Sequence, residues 1–192
     1  MNKNTGEIVW AKQLGKDTQR NNDLIKDTSV REACNDLVAD NTGLYCVGGT
    51  SSSLFESNGG SGDIFFLKLD KETGQLLWGK QLGTEDDDVC FGLTSDETGI
   101  YCAGSTKGGL FDQTNAGNED VFLLKLNSDS GNLIWGTQLG KQTSSLSSNI
   151  LNPVQYDRCN NVFVDDTAVF CAGETGSDLF ETNGGSLDSF IL

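Results

Sequence analysis

The sequence predicts an all-β fold made of repeated four-stranded antiparallel sheets. Three kinds of segment each occur three times in the same cyclic order: one centred on tryptophan, one bounded by two cysteines, and one ending in an apolar run. In all of them short runs rich in Val, Ile, Leu, Phe and Tyr are separated by Gly, Asn, Asp and Ser. Such a pattern is typical of strands joined by tight turns, and recurrence at a fixed order indicates a repeat architecture.

The repeated segments can be read directly from the sequence. The tryptophan segments are TGEIVWAKQLG from Thr5, TGQLLWGKQLG from Thr73 and SGNLIWGTQLG from Ser130. The cysteine segments are CNDLVADNTGLYCVGGT, CFGLTSDETGIYCAGST and CNNVFVDDTAVFCAGET. The third kind reads SLFESNGGSGDIFFLKL, GLFDQTNAGNEDVFLLKL and DLFETNGGSLDSFIL.

The second repeat shows how one unit divides into strands. Residues 91–96 form the first predicted strand and residues 100–106 its hairpin partner; residues 121–126 and 133–139 form the third and fourth. The turns of the repeats contain glycine where a positive φ would suit it: Gly43, Gly74, Gly99 and Gly131. Ala168 replaces this glycine in the third repeat, so that turn is expected to be strained or differently shaped.

A four-stranded unit recurring every 56 to 69 residues predicts β-propeller blades. The blade segments are residues 34–83, 90–140 and 159–192, and residues 1–15 resemble the fourth strand that the last segment lacks. Residues 1–192 are therefore expected to form one half-propeller of three blades' worth of strands, with one composite blade. Length varies mainly in the loops between blades, at residues 16–33, 84–89 and 141–158.

Two propeller families share parts of this pattern. DVFLLKLNSDSGNLIWGTQLG and GLTSDETGIYCAGST resemble the bacterial β-propeller repeat called the SBBP repeat, and this resemblance covers essentially the whole chain. The run KLD-x-x-TG-x-x-x-W is similar to the tryptophan-docking motif of pyrroloquinoline-quinone-type propellers. Those enzymes carry adjacent cysteines at the cofactor, and this chain has none. The resemblance therefore implies the fold without the quinone chemistry, and no cofactor is predicted.

The tryptophans have a structural interpretation that suffices. One large aromatic residue per blade packs against the neighbouring blade and fixes the stacking of the two. This role is predicted for Trp10, Trp78 and Trp135. The same interpretation applies to Phe65, Phe122 and Phe190.

The six cysteines form three pairs with eleven residues between the members of each: Cys34 and Cys46, Cys90 and Cys102, Cys159 and Cys171. An even, periodic set favours disulfides in an oxidising compartment. A hairpin closed between Asp96 and Ile100 would place Cys102 opposite Thr94, roughly 13 Å along the strand from Cys90. A disulfide requires Cα atoms within about 7 Å. Bonds within a blade, bonds between blades and free buried thiols therefore all remain open.

The charge and the missing residue types exclude several functions. The chain has 28 acidic and 13 basic residues, a formal charge of −15, which disfavours nucleic acid as a partner. It contains no histidine, which excludes Ser-His-Asp catalysis and most zinc sites. The sequence has no run of 18 apolar residues, so no membrane span is predicted.

Acidic residues supply the candidate sites. Asp86, Asp87 and Asp88 are consecutive, and because oxygen-rich clusters can hold calcium, these three are the candidate ligands of a calcium ion. A solvated loop in which one carboxylate accepts backbone N–H bonds is the alternative. Asp63, Asp120 and Asp188 recur at the start of the third strand, where each is expected to cap turn amides.

Three blades cannot close a propeller, which has roughly four to eight. Two copies of the chain would close a six-bladed ring, with residues 8–14 of each copy completing the last blade of the other. The alternatives are further blades in a longer chain or a filament. The predicted function is a non-enzymatic module, extracellular, cell-surface or periplasmic, that binds a glycan or protein or serves in assembly. The alternative is an extracellular polysaccharide-degrading hydrolase or lyase that uses acidic loop residues.

Overall fold

The computed structural model describes residues 1–15, 31–141 and 156–192. Its secondary structure consists of strands: β1 (Glu32–Ala39), β2 (Leu44–Thr50), β3 (Asp63–Leu69), β4 (Leu76–Leu82), β5 (Asp88–Asp96), β6 (Gly99–Thr106), β7 (Asp120–Leu126), β8 (Leu133–Leu139), β9 (Asp157–Val164), β10 (Val169–Thr175) and β11 (Asp188–Ile191). The predicted all-β antiparallel architecture is confirmed. Most of the two long loops predicted between blades, at residues 16–33 and 141–158, lies outside the described residues.

The strands form three antiparallel sheets in which neighbours in sequence are neighbours in space. Sheet I has the order β1-β2-β3-β4 and sheet II the order β5-β6-β7-β8. In the part of the chain that the structure describes, sheet III has three strands, in the order β11-β10-β9. Among the described residues no helix is long and apolar enough to cross a membrane.

The first hairpin of sheet II closes one residue earlier than predicted. Asp96 lies opposite Gly99, with a two-residue turn between them, so Cys102 faces Leu93 and not Thr94. The Asp96 carboxylate accepts the N–H groups of Thr98 and Gly99, at 2.7 and 3.0 Å. An aspartate that folds its own turn in this way makes the shorter loop favourable.

Each cysteine pair forms a disulfide within its own sheet. The bonds are Cys34–Cys46, Cys90–Cys102 and Cys159–Cys171, with Cα atoms 6.1, 6.2 and 5.9 Å apart. The predicted distance of roughly 13 Å was wrong because the first strand of every sheet has a β-bulge at the residue just after its cysteine, at Asn35, Phe91 and Asn160. A bulge inserts one extra residue on one strand and bends it. Together with the earlier hairpin closure it brings the two cysteines within bonding distance, so the inter-blade and free-thiol alternatives are wrong.

The turn glycines fall into two groups. Gly74 and Gly131 have φ of 70° and 69°, as predicted. Gly43 has no positive φ and Gly99 is close to extended, at 159°. Gly99 requires glycine for space, because a Cβ would lie 2.5 Å from the Leu126 carbonyl oxygen, whereas the nearest atom to a Cβ at Gly43, 2.8 Å away, belongs to the flexible end of the Lys68 side chain.

Ala168 therefore does not strain its turn. The Asp165 carboxylate accepts the N–H groups of Thr167 and Ala168, at 2.7 and 2.8 Å. Asp40 makes the same two bonds in sheet I. The expectation of strain was wrong because this position does not need a left-handed backbone in any sheet.

The sheets stack face to face through two apolar clusters. The cluster between sheets I and II contains Tyr45, Val47, Ile64, Phe66, Cys90, Leu93, Ile100, Cys102, Leu110, Phe122, Leu124 and Leu126. The cluster between sheets II and III contains Tyr101, Ala103, Val121, Leu123, Cys159, Val162, Cys171 and Phe190. The first strands lie side by side, β1 against β5 and β5 against β9. Asp36 strengthens this contact, because its carboxylate accepts the N–H of Leu93 at 2.8 Å.

Removing the disulfide Cys90–Cys102 by a double alanine substitution should lower the free energy of unfolding by about 3 kcal/mol. Both sulfur-bearing residues are fully buried, so the loss of packing adds to the loss of the cross-link. Urea denaturation of the purified protein measures the effect.

The matched control is the double alanine variant of Cys34 and Cys46. Both disulfides span 12 residues, so the constraint on the unfolded chain is the same. Cys34 is exposed and Cys46 half-buried, so the loss should be smaller. An unchanged stability in the Cys90/Cys102 variant would show that the bond does not form.

Candidate functional site

A glutamine on the fourth strand ties each complete sheet together. In sheet I the Gln81 side-chain NH₂ donates to the Asp63 carboxylate at 2.8 Å and to the Ser52 carbonyl at 2.9 Å. Its side-chain oxygen accepts the N–H of Leu54 at 2.9 Å. All the groups are buried or half-buried. We call this arrangement of one glutamine, one aspartate and two loop backbone groups the glutamine clasp.

Sheet II repeats the clasp. The Gln138 NH₂ donates to Asp120 at 2.8 Å and to the Gly108 carbonyl at 3.0 Å, while its oxygen accepts the N–H of Leu110 at 2.8 Å. Because the loop backbone and the fourth strand are joined by a buried side chain, losing the glutamine would leave buried polar groups unpaired.

The aspartates of the clasp also cap the glycine-rich loop. Asp63 accepts the N–H of Gly59 at 3.0 Å, Asp120 that of Ala116 at 2.9 Å, and Asp188 that of Gly184 at 2.8 Å. This is the role predicted for the three aspartates. The role of the glutamines was not predicted, although QLG recurs in all three tryptophan segments and could have indicated it.

Sheet III contains the clasp without its glutamine. Ser177, Leu179 and Asp188 stand where Ser52, Leu54 and Asp63 stand in sheet I. Among the described residues no glutamine bonds to them, and β11 has a hydrogen-bonded neighbour only on the β10 side. A cavity of about 300 Å³ lies beside β11, and we call it the open groove. It is lined by Thr175, Ser177, Phe180, Glu181, Thr182, Asp188, Ser189, Phe190 and Ile191.

Trp78 contacts the sheet that follows its own. Trp78 of β4 donates its indole N–H to the Ser128 carbonyl of sheet II at 3.2 Å. Its ring also lies over Gly131, where a Cβ would be 2.9 Å from the ring. Within sheet I it meets Tyr45, with centroids 6.1 Å apart.

Trp10 contacts sheet I in the same way. Its indole N–H donates to the Lys71 carbonyl at 2.9 Å, and a Cβ on Gly74 would be 2.6 Å from its ring. Trp10 and Leu14 pack on a cluster formed by Phe65, Leu67 and Leu69. Residues 8–14 thus lie against sheet I as β4 lies against sheet II.

The segment that holds Trp10 is not a strand in the single chain. Residues 8–14 were predicted to be one, but no strand pairs with them among the described residues. Ile8 and Val9 are 71% and 63% exposed. A strand needs a neighbour for its backbone N–H and C=O groups, and the described part of the chain offers this segment none.

Trp135 lacks the contact that the other two tryptophans make. It meets Tyr101 of its own sheet, with centroids 6.2 Å apart, but no turn of a following sheet covers it among the described residues. Its side chain is accordingly exposed to 38%.

Both ends of the stack present apolar residues. On the outer face of sheet III, Phe163, Phe170 and Ile191 are 63%, 39% and 82% exposed. On the outer face of sheet I, Leu37 is 61% exposed beside an apolar cavity of about 260 Å³ that reaches Trp10. Contiguous apolar surface of this kind marks an interaction site.

The three consecutive aspartates are not gathered into one site. Asp86 is exposed, and Asp87 forms an ion pair with Lys107 at 2.8 Å. Asp88 is fully buried at the start of β5, where it accepts bonds from Thr84 N–H, at 2.5 Å, and from the Thr106 hydroxyl. In the described part of the chain, no three acidic or cysteine side chains are grouped in a way that could hold a metal ion.

Two aspartates of the first strands are perturbed by burial. Desolvation raises the pKa of Asp88, although hydrogen bonds from Thr106 and Thr84 oppose this rise. Desolvation likewise raises the pKa of Asp157, which accepts bonds from Thr175 and Ser177. The two residues hold equivalent positions in sheets II and III, two before the first cysteine, so their shifted pKa values belong to a repeated structural contact.

Comparison with known proteins gives no family for this chain. No family model matches it, and a search of the curated proteins finds no match. Its function is therefore inferred from the contacts of the described residues.

Replacing Asp88 with asparagine should remove one component of the pH dependence of stability. Because the folded state raises the pKa of Asp88, it binds this proton more tightly than the unfolded chain. The contribution of Asp88 to stability is therefore greatest below about pH 4, the usual Asp value, and declines as pH rises through the elevated folded pKa.

Urea denaturation of both proteins between roughly pH 3 and 7 measures this component. The stability difference, wild type minus Asp88→Asn, should fall with rising pH across that window. Asp86→Asn controls for the change in net charge, because that side chain is exposed. A flat difference for Asp88→Asn would contradict the assignment.

Proposed function

We propose that this chain is a non-enzymatic extracellular assembly and binding module, half of a β-propeller, two copies of which close a six-bladed ring. The observation that supports this most directly is the incomplete clasp of sheet III. The open groove presents the partners of a glutamine, and residues 7–15 contain that glutamine within the sequence of a fourth strand.

Gln13 is the residue that fits the open groove. EIVWAKQLG at residues 7–15 matches QLLWGKQLG at residues 75–83 position by position, so Gln13 stands for Gln81. Placed beside β11 of a second copy, its side chain would bond to Asp188, the Ser177 carbonyl and the Leu179 N–H. The backbone of residues 8–14 would at the same time pair with the open edge of β11. Adding a strand to an exposed sheet edge is a common mode of recognition.

The two outer faces support a closed arrangement. Tyr45 and Tyr101 each contact the tryptophan of their own fourth strand, and Phe170 is the equivalent residue of sheet III. In the composite sheet, Phe170 would meet Trp10 of the second copy. The exposed face of sheet III would then cover the exposed face of sheet I across each junction. Two such junctions related by a two-fold axis close the assembly, and six blades lie within the usual range.

One substitution shows where the composite sheet differs from the others. Gly79 and Gly136 on the fourth strands lie under the rings of Phe55 and Phe111, where a Cβ would come within 2.2 and 2.4 Å. Ala11 occupies this position in residues 7–15, and Phe180 is the ring that faces it. Phe180 is 50% exposed and can move aside. We therefore expect Ala11→Gly to strengthen the association.

The disulfides and the charge support the location and the partners. Three disulfides favour an oxidising compartment such as the cell surface, the extracellular space or the periplasm. A charge of −15 disfavours nucleic acid. Propeller loops, which vary between the repeats, are the surface on which we place a glycan or protein ligand.

Native mass spectrometry should show a particle of two chains, twice 20.6 kDa. Gln13→Ala should weaken it by at least about tenfold in Kd, since a hydrogen bond to a charged group contributes about 1.5–3 kcal/mol. Gln75→Ala, an exposed glutamine in the β3–β4 turn, is the matched control and should leave the Kd unchanged.

A well-folded monomer at all concentrations would overturn the proposal. A particle with more than two chains would indicate a filament or a larger ring instead. The enzymatic alternative is tested on the same samples with a panel of extracellular polysaccharides, where product release that Asp86→Ala or Asp87→Ala abolishes would favour a hydrolase or lyase.

A further inference from the structure

A turn near residue 2 has the same construction as the two turns that receive tryptophan. Asn2 N–H bonds to the Glu7 carbonyl and Gly6 N–H to the Asn2 carbonyl, both at 2.8 Å. Residues 70–75 and 127–132 form the same pair of bonds, at 2.8 and 2.9 Å respectively. The glycine of each turn is left-handed, with φ of 73° at Gly6, 70° at Gly74 and 69° at Gly131. We call these three turns the docking turns.

Two docking turns are covered and one is open. The ring of Trp10 lies over Gly74 and that of Trp78 over Gly131. At Gly6, by contrast, a Cβ would meet no atom of the described residues within 4 Å. All of residues 2–7 are exposed. The turn of residues 2–7 therefore has the same backbone geometry as the two turns that a tryptophan covers, but among the described residues no tryptophan covers it.

Trp135 is the tryptophan that covers no docking turn among the described residues. The order of the contacts is constant, because the tryptophan of one fourth strand covers the docking turn of the next sheet. By this order Trp135 of β8 should cover the turn that joins the third and fourth strands of sheet III. If residues 8–14 of a second copy supply that fourth strand, the turn before it is residues 2–7 of the same copy.

We propose that Trp135 of one copy docks on the turn of residues 2–7 of a second copy. This inference rests on the proposed two-chain ring and names the contact that fixes the position of the incoming strand. The ring packs on the bare backbone of Gly6. The indole N–H donates to the Lys3 carbonyl, as those of Trp10 and Trp78 donate to the Lys71 and Ser128 carbonyls.

The contact complements the glutamine clasp and differs from it in what it recognises. The clasp holds the incoming strand to sheet III, whereas the tryptophan holds the preceding turn to sheet II. A strand shifted by two residues would keep its backbone pairing and its inward face. It would move Gly6 away from Trp135, so the two contacts together specify one register.

Gly6→Asn is the decisive variant. Asparagine tolerates a left-handed backbone better than other residues with a side chain, so the turn itself can form. Its Cβ would nevertheless occupy the space that the ring needs, because at Gly74 and Gly131 a Cβ would lie only 2.6 and 2.9 Å from the ring. Within one copy no described residue lies within 4 Å of a Cβ at Gly6, so the monomer should fold unchanged.

Sedimentation equilibrium over a dilution series should show Gly6→Asn and Trp135→Ala each weakening the dimer by about tenfold or more, as expected for the loss of a buried aromatic contact. Combining the two substitutions should cost little more than either alone, because both remove the same contact. Asn4→Ala, in the same exposed turn, is the control and should leave the Kd unchanged.

The outcomes separate this inference from the proposed function. A wild-type monomer would overturn both. A wild-type dimer that Gln13→Ala weakens and Gly6→Asn does not would overturn the tryptophan contact alone. Additive losses in the double variant would also contradict it, since the two sites would then act independently. The blue shift of tryptophan fluorescence on association should be smaller in Trp135→Phe, which leaves only the change at Trp10, and this readout is one that a general loss of stability would not reproduce.

Discussion

The structure depends on one constraint: every sheet is apolar on both faces and can bury them only between two other sheets. β6 is buried along its whole length because sheets I and III cover both faces of sheet II, and β3 is buried because Trp10 and Leu14 pack on it from the outer face of sheet I. β11 and most of β10 remain half open, since sheet III has a neighbour on one side only. Burial at about 25 cal/mol per Å² favours every added sheet. A stack that does not close therefore always retains two unsatisfied faces.

The fourth strand fixes the position of each sheet relative to the next one in the stack. It belongs to its own sheet through backbone pairing and the glutamine clasp, and to the next sheet through its tryptophan. Face-to-face apolar contact alone is tolerant of sliding, whereas a buried amide and an indole over a glycine are directional. Residues 8–14 contain both the glutamine and the tryptophan, and among the described residues no strand pairs with them. The proposed contact between copies uses the same two side chains that order neighbouring sheets within the chain.

The strand pattern was accessible from the sequence, and much of the finer geometry was not. Alternation of apolar runs with turn residues predicted the third and fourth strands of the second repeat within one residue of β7 and β8. The β-bulge after the first cysteine of each sheet was missed, because it appears only in the register of the first two strands. The distance between Cys90 and Cys102 was therefore overestimated. The glutamine clasp was also missed, since its partners lie 18 to 29 residues away and two of them are backbone groups.

By itself the sequence determined the repeat, the antiparallel strands and the match between residues 7–15 and the two complete fourth strands. These follow from local preference and periodicity, which a single chain expresses without reference to its neighbours. Only the tertiary structure decided which glycines need a left-handed backbone and which need space. It also showed that no described residue packs on Gly6 and that Trp135 is partly exposed. Asp88 is buried, whereas Asp86 and Asp87 are not. Contacts between sheets depend on how the faces meet in three dimensions, and that information is not local in the chain.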